Sequence, residues 1–255
     1  MTDLILIETL ERGIVSVTLN RPDRRNALSV SLLEQLCEKI EHLESDSTHR
    51  VVILRGAGPV FSAGLDLKEA ADISLVERTA AGVSRALNIL RSSPLITIAA
   101  VQGGAFAGGA GLMAACDIVI ASSDAKIGFP EPRRGLLPAL ICGALIHKVR
   151  EGDLRELFLT GDPIDAVRAQ QVGLVQHVVL AERLLDEALR VARSVIAGGP
   201  KTIRQTKSLL NTMFQGARES HGADLIEKHL AARHSDEARE GLAAFSEKRE
   251  PNWQM

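Results

Sequence analysis

Two glycine-bearing turns and one acid hold the residue types that could do chemistry. The turns are Phe61-Ser62-Ala63-Gly64-Leu65-Asp66-Leu67-Lys68-Glu69 and Gln102-Gly103-Gly104-Ala105-Phe106-Ala107-Gly108-Gly109-Ala110-Gly111. Each follows a β-branched run and precedes a helical pattern. Backbone N–H groups at a helix start lack intrahelical acceptors and carry positive partial charge. Aimed together at one oxygen, they make an oxyanion hole. The acid is Glu131, in Gly128-Phe129-Pro130-Glu131-Pro132, and it would move the proton. Hole and acid together suit enolate chemistry on a carbonyl or a thioester.

Each feature also has a plainer explanation. Gly64 permits backbone angles that a larger residue resists, with Leu65 N–H as the natural donor, yet the segment also fits an ordinary strand-to-helix turn. The second turn holds four glycines within residues 103–109. This density allows a ligand close to the backbone, or equally a close helix contact. It lacks both the G-x-G-x-x-G register of dinucleotide sites and the Gly-Lys-Ser/Thr of a P-loop. Pro132 biases Glu131 toward extended backbone. The apolar approach Ile127-Gly128-Phe129 implies a desolvated carboxyl with a raised pKa. Arg133 and Arg134 oppose this, and a surface Glu131 paired to either of them is the alternative. The histidines form no cluster, His147 reads as structural, and Asp117 reads as a cap or ion pair. No metal-ligand spacing appears.

The positioning elements follow from periodicity and punctuation. Leu4–Leu10 and Ile14–Leu19 alternate as strands around a Glu11-Arg12-Gly13 turn. Ser29 or Ser31 can cap a helix over Leu32–Leu43, whose charged run from Glu34 to Glu44 is a solvated face. Val51–Leu54, Ile96–Val101, Ile118–Ala121 and Lys126–Phe129 read as strands. Helices are expected from near Asp66, over Leu75–Arg91 and over Gly108–Ala115. Short β-branched strands alternating with helices argue for an α/β core with parallel strands. After Gly198-Gly199-Pro200 no strand is expected, only helices near Lys201–Met213, Ala223–Ala232 and Ser235–Lys248. We therefore expect a core over 1–197 holding the site and a helical extension over 198–255, part of whose apolar face packs on another subunit.

Composition narrows the function classes. A chain of 255 residues can bury a full core. A net charge of −2 leaves no broad footprint for nucleic acid or an anionic membrane. No apolar run reaches the ~18 residues of a membrane span. The N-terminus shows no signal-peptide pattern. Cys37, Cys116 and Cys142 are scattered and odd in number, as expected of small buried residues in a reducing, cytoplasmic setting.

Together these segments resemble the crotonase (enoyl-CoA hydratase/isomerase) superfamily over nearly the whole chain. Val17-Thr18-Leu19-Asn20-Arg21-Pro22 with Asn26-Ala27-Leu28 is similar to its first strands and CoA loop. The two glycine turns are similar to its oxyanion segments, and Gly241-Leu242-Ala243-Ala244-Phe245-Ser246-Glu247-Lys248-Arg249 to its C-terminal helix. The resemblance implies a spiral of ββα turns with a helical trimerisation region, and homotrimers or homohexamers. It implies an acyl-CoA thioester as substrate, with coenzyme A part of that substrate rather than a separate cofactor. Leu65 and Gly108 N–H groups would hold the thioester oxygen. Arg24, Ala27, Ala63, Asp66 and Leu67 would line the CoA path.

One departure bears on the reaction. Hydratases of this family carry two catalytic glutamates; the second falls at Glu131 and the first at Gly111. One carboxylate suffices to carry a proton between two carbons of one substrate. We therefore expect a Δ3-to-Δ2 enoyl-CoA isomerase. The alternatives are a hydratase or other thioester lyase drawing a second acid from Glu69 or Asp72, and a non-catalytic acyl-CoA-binding homologue.

Overall fold

The structure is a computed structural model that describes residues 3–215 and 222–252. The strands are β1 (Ile5–Glu11), β2 (Ile14–Leu19), β3 (Val51–Gly56), β4 (Ile96–Val101), β5 (Gly104–Phe106), β6 (Ile118–Ser122), β7 (Lys126–Gly128), β8 (Ile164–Asp165) and β9 (His177–Val179). Between them lie α1 (Val30–Ser45), α2 (Leu67–Ala71), α3 (Val76–Ser92), α4 (Gly108–Ala115), α5 (Ala139–Leu145), α6 (Glu151–Thr160) and α7 (Ala166–Gln171). The chain closes with α8 (Leu184–Ile196), α9 (Pro200–Gln215), α10 (Gly222–Arg233) and α11 (Asp236–Glu247).

Strand alternation decides the layers. The larger sheet runs β1-β2-β3-β4-β6-β9, antiparallel only at β1–β2 and parallel elsewhere. Val51, Ile53, Ile96, Ile98, Ala100 and Ile120 pack with Leu184, Ala188, Val191 and Ala192 of α8. Their sequence neighbours Val52, Leu54, Ala99, Val101, Val119 and Ala121 face the other way, into the main core with α1, α3 and α4. A period of 2 sends successive side chains to opposite faces, so a sheet covered on both sides reads as unbroken β-branched runs. Of the two serines that could cap α1, Ser29 does so: its Oγ accepts from Leu32 N–H at 3.2 Å.

The smaller sheet, β5-β7-β8, positions the site. β5 and β7 run parallel, Gly104 beside Lys126 and Phe106 beside Gly128. Each strand ends within a few residues of a candidate functional group: Gly108 after β5, Glu131 after β7. The C-terminal helices contain no strand among the described residues and return to the core, α10 against α3 and α5, and α11 against the turn at 132–134.

Candidate active site

The two glycine turns are built back to back. Leu28 N–H donates to Gly64 O (2.8 Å) and Asp66 N–H to Leu28 O (3.2 Å). Phe106 N–H donates to Ser62 O at 3.0 Å. Gly64 sits at φ +88, where a Cβ would lie 2.7 Å from Phe106 O and 2.9 Å from Ala107 Cβ. Only glycine allows that approach and that angle. A Cβ on Gly109 would meet Ser62 Cβ at 2.7 Å. Much of the glycine density is therefore close packing between the turns, which holds the two donor segments in fixed relation. Ala107 enters α4 at φ 49, ψ −125, a region that strains a residue with a Cβ by about 1–3 kcal/mol. Among the described residues, neither Leu65 N–H nor Gly108 N–H has a protein acceptor.

Leu65, Gly108 and Glu131 line one cavity of about 40 Å3, walled otherwise by mainly apolar side chains such as Val83, Leu137 and Ile141. Glu131 is 9% exposed, and its Oε2 has no hydrogen-bond partner among the described residues. Burial pushes its pKa up to about 7, against a hydrogen bond from its own backbone and the charge of Arg134. A carboxyl poised there is close to half-ionised at neutral pH, as a general base requires.

The backbone of Glu131 departs from the expected extended form: φ −51, ψ −50 is helical. Its carbonyl accepts from both Arg134 N–H and Leu136 N–H at 2.9 Å, and these two bonds outweigh the steric bias of Pro132. Nor is Glu131 a surface ion pair. Arg133 is taken by Asp162 and by Thr160 O, while Arg134 stacks on the Phe245 ring with Cζ 4.2 Å from its centroid.

Of the residues expected along the CoA path, Leu67 lines the cavity, and Arg21 ties Ala27 to Asp66 by donating to Ala27 O at 2.7 Å and to the Asp66 carboxylate at 2.9 Å. Ala63 N–H donates to Arg25 O at 2.9 Å, linking the loop after β2 to the first glycine turn. Arg24 lies on the same loop, exposed, 3.7 Å from Asp23. Asp66 caps α2 and takes a hydrogen bond from Arg21 at 2.9 Å. Although burial raises its pKa, the bonds from Arg21 and Lys68 N–H hold it below the usual carboxylate range. Its side chain is thus structural. Leu67 borders both the cavity and an adjoining groove of about 770 Å3, which also carries Lys68, Arg233 and Arg239.

The expected substitute acids do not reach the site. Glu69 Oε2 accepts from Val30 N–H at 2.7 Å, and Asp72 caps the turn at Ser74; neither lines the cavity. Gly111 is closed off, since a Cβ there would lie 2.5 Å from Cγ2 of Ile141. The sequence placed neither Leu137 and Ile141 nor, on the C-terminal helices, His229 of α10 and Leu242 of α11 at the site. The site is therefore not confined to residues 1–197. His229 is buried, and burial with the nearby Arg233 charge pushes its pKa down to about 4, despite a hydrogen bond to the Leu137 backbone. It is a neutral imidazole at pH 7. A lone histidine in a polar helix carries no sequence signal; only the packing of α10 reveals it.

Comparison with known proteins agrees with this geometry. The family model for enoyl-CoA hydratase/isomerase matches residues 9–255. The chain belongs to that family. It is 35% identical over 247 residues to enoyl-CoA hydratase EchA19 of Mycobacterium tuberculosis, covering 93% of this chain and 92% of that one. It is 34% identical over 256 residues to a protein named probable enoyl-CoA hydratase echA8 in Mycobacterium leprae, covering 98% of each. A crystal structure of an enoyl-CoA hydratase from Mycobacterium avium superposes with TM-score 0.90 at 32% identity, covering 99% of this chain and all of that one. This enoyl-CoA hydratase/isomerase family enzyme therefore has the crotonase fold, as its sequence implied.

Proposed function

We propose that this enzyme shifts a Δ3 double bond of an enoyl-CoA to Δ2, with Glu131 as its sole acid/base. The closure of Gly111 by Ile141 carries this reading, because it leaves Glu131 as the one carboxyl on the cavity wall among the described residues. Carboxylate Glu131 takes a proton from C2, which is acidified by both the thioester and the adjacent double bond. The electron pair delocalises as a dienolate, whose oxygen accepts from Leu65 and Gly108 N–H. Protonated Glu131 then returns the proton at C4, leaving the double bond between C2 and C3. No water enters and no redox change occurs. One donor of such a hole is typically worth ~3 kcal/mol in the transition state. The CoA portion would run past Arg24, Ala27, Ala63, Asp66 and Leu67.

A second reading, hydration, is favoured by the names of the relatives and by His229. A neutral imidazole on the same wall could hold a water for addition at C3 while Glu131 serves C2. Product analysis on a Δ3-enoyl-CoA and a Δ2-enoyl-CoA separates the two.

The first test is proton exchange. Incubated with a saturated acyl-CoA in D2O, wild type should exchange the C2 proton, and Glu131→Gln should be slower by at least about 10³-fold, within the range of general-base contributions. Binding of the thioester should persist. Wild-type kcat/KM should rise with pH and level off above about 7, as Glu131 ionises. Exchange at an undiminished rate in the Gln variant would remove Glu131 from the mechanism.

We also infer a homotrimer or dimer of trimers. An apolar face on α9, with Leu209, Leu210, Met213 and Phe214 exposed, supports that reading.

A further inference from the structure

Arg134 has an unusual position. It lines the cavity that Glu131, Leu65 and Gly108 share. Among the described residues its guanidinium has no hydrogen bond or ion pair; it lies over the Phe245 ring and feels the charge of Glu131. The adjacent Arg133, by contrast, is neutralised by Asp162. Three wall residues among those described are ionisable: Glu131, Arg134 and His229. His229 is neutral, and Glu131 is largely protonated until pH passes about 7. Had Arg134 been an ion-pair partner for Glu131, the carboxyl would be held low instead. The cavity wall thus carries a half-buried cation whose one nearby charge among the described residues is Glu131, itself part-protonated at neutral pH. Desolvating a cation is costly unless an anion arrives to meet it. Phe245 covers one face of the guanidinium, which orients the planar fork and leaves its N–H edges for a bidentate acceptor.

We propose that the acyl group taken by this site ends in a carboxylate and that Arg134 recognises it, so the substrate is the CoA monothioester of a short dicarboxylic acid. The small cavity, about 40 Å3, favours a short chain. The proposal rests on the reading above that this cavity receives the acyl group. Arg134 acts on specificity rather than on the reacting carbons.

The test compares two saturated thioesters that differ at the far end, glutaryl-CoA and pentanoyl-CoA, by calorimetric titration of the full-length protein. The CoA portion is common to both ligands, so the affinity ratio isolates the chain end. Wild type should prefer glutaryl-CoA by at least about tenfold, the equivalent of one charge-assisted hydrogen bond. Arg134→Gln should bring the ratio to about one, and Arg134→Lys, which keeps the charge without the fork, should fall between. A wild-type ratio near one overturns the proposal whether or not the variants fold. So does an unchanged ratio in a folded Gln variant, since Arg134 would then only tune Glu131. Neither ligand needs turnover. Loss of the Glu131-dependent exchange described above would sink the mechanism and leave this ratio standing.

Discussion

Glu131 shows how one side chain can be placed at the expense of stability. It titrates near the usual 4.5 when unfolded and near about 7 in the fold. Between those values the folded state holds the extra proton, so its contribution to stability is complete below pH 4.5 and is lost as pH rises through 7. Glu131→Gln removes the titration. The variant should therefore match wild type in denaturant midpoint near pH 4.5 and exceed it at pH 8, by up to about 3 kcal/mol. Equal stability at both pH values would mean that the carboxyl is hydrated in solution and not desolvated. The residue was legible because an acid framed by prolines after an apolar run is a rare local pattern. His229 was not, because its role depends on which face of α10 meets the core. Arg134 was visible, but only the structure shows that Arg133 finds a partner and Arg134 does not.

Helix α4 decides how many acids the site can hold. It is buried along its whole length, and its small residues let α5 approach until Ile141 fills the space over Gly111. Gly111→Glu should thus overpack the contact, costing about 1–3 kcal/mol, with a further penalty for the buried charge. It should gain no hydration activity. Adding Ile141→Ala should restore part of the stability by opening room. Thermal melts of both variants, with hydration assays, check this. A stable single variant that hydrates a Δ2-enoyl-CoA would show that α5 yields easily and that the acid count does not set the reaction. Most elements near the site were readable: β2, β4 and α4 fall on their expected bounds, and β3 and β6 within two residues. β8 and β9, at two and three residues, are too short for alternation to register. α8 is clearly amphipathic, yet no element was assigned between 135 and 197; here the periodicity was present and simply went unused.

At the scale of the molecule, the C-terminal helices run from the exposed face of α9 to the cavity wall. α9 is fixed to the core by Lys207, whose Nζ bonds Asp117 at 2.7 Å and Leu95 O at 2.8 Å in a buried site. That makes Asp117 the ion pair its sequence allowed. Anchored on that side, α9 turns Leu209, Leu210, Met213 and Phe214 outward, and Met213 is 73% exposed. Exposed apolar side chains grouped in this way mark an interaction surface. The next helices, α10 and α11, supply His229 and Leu242 to the cavity wall, and Phe245 to Arg134. Loosening α9 should therefore reach the site. Sedimentation velocity at micromolar concentration should give a trimer or hexamer for wild type. Leu210→Glu with Phe214→Glu should shift it to monomer, because charges on a desolvated apolar contact are strongly unfavourable. Helical circular dichroism should be retained, and C2 exchange should fall with the oligomer. A monomeric wild type would mean that this face is solvated. A monomeric variant with full exchange would mean that the site is complete within one chain.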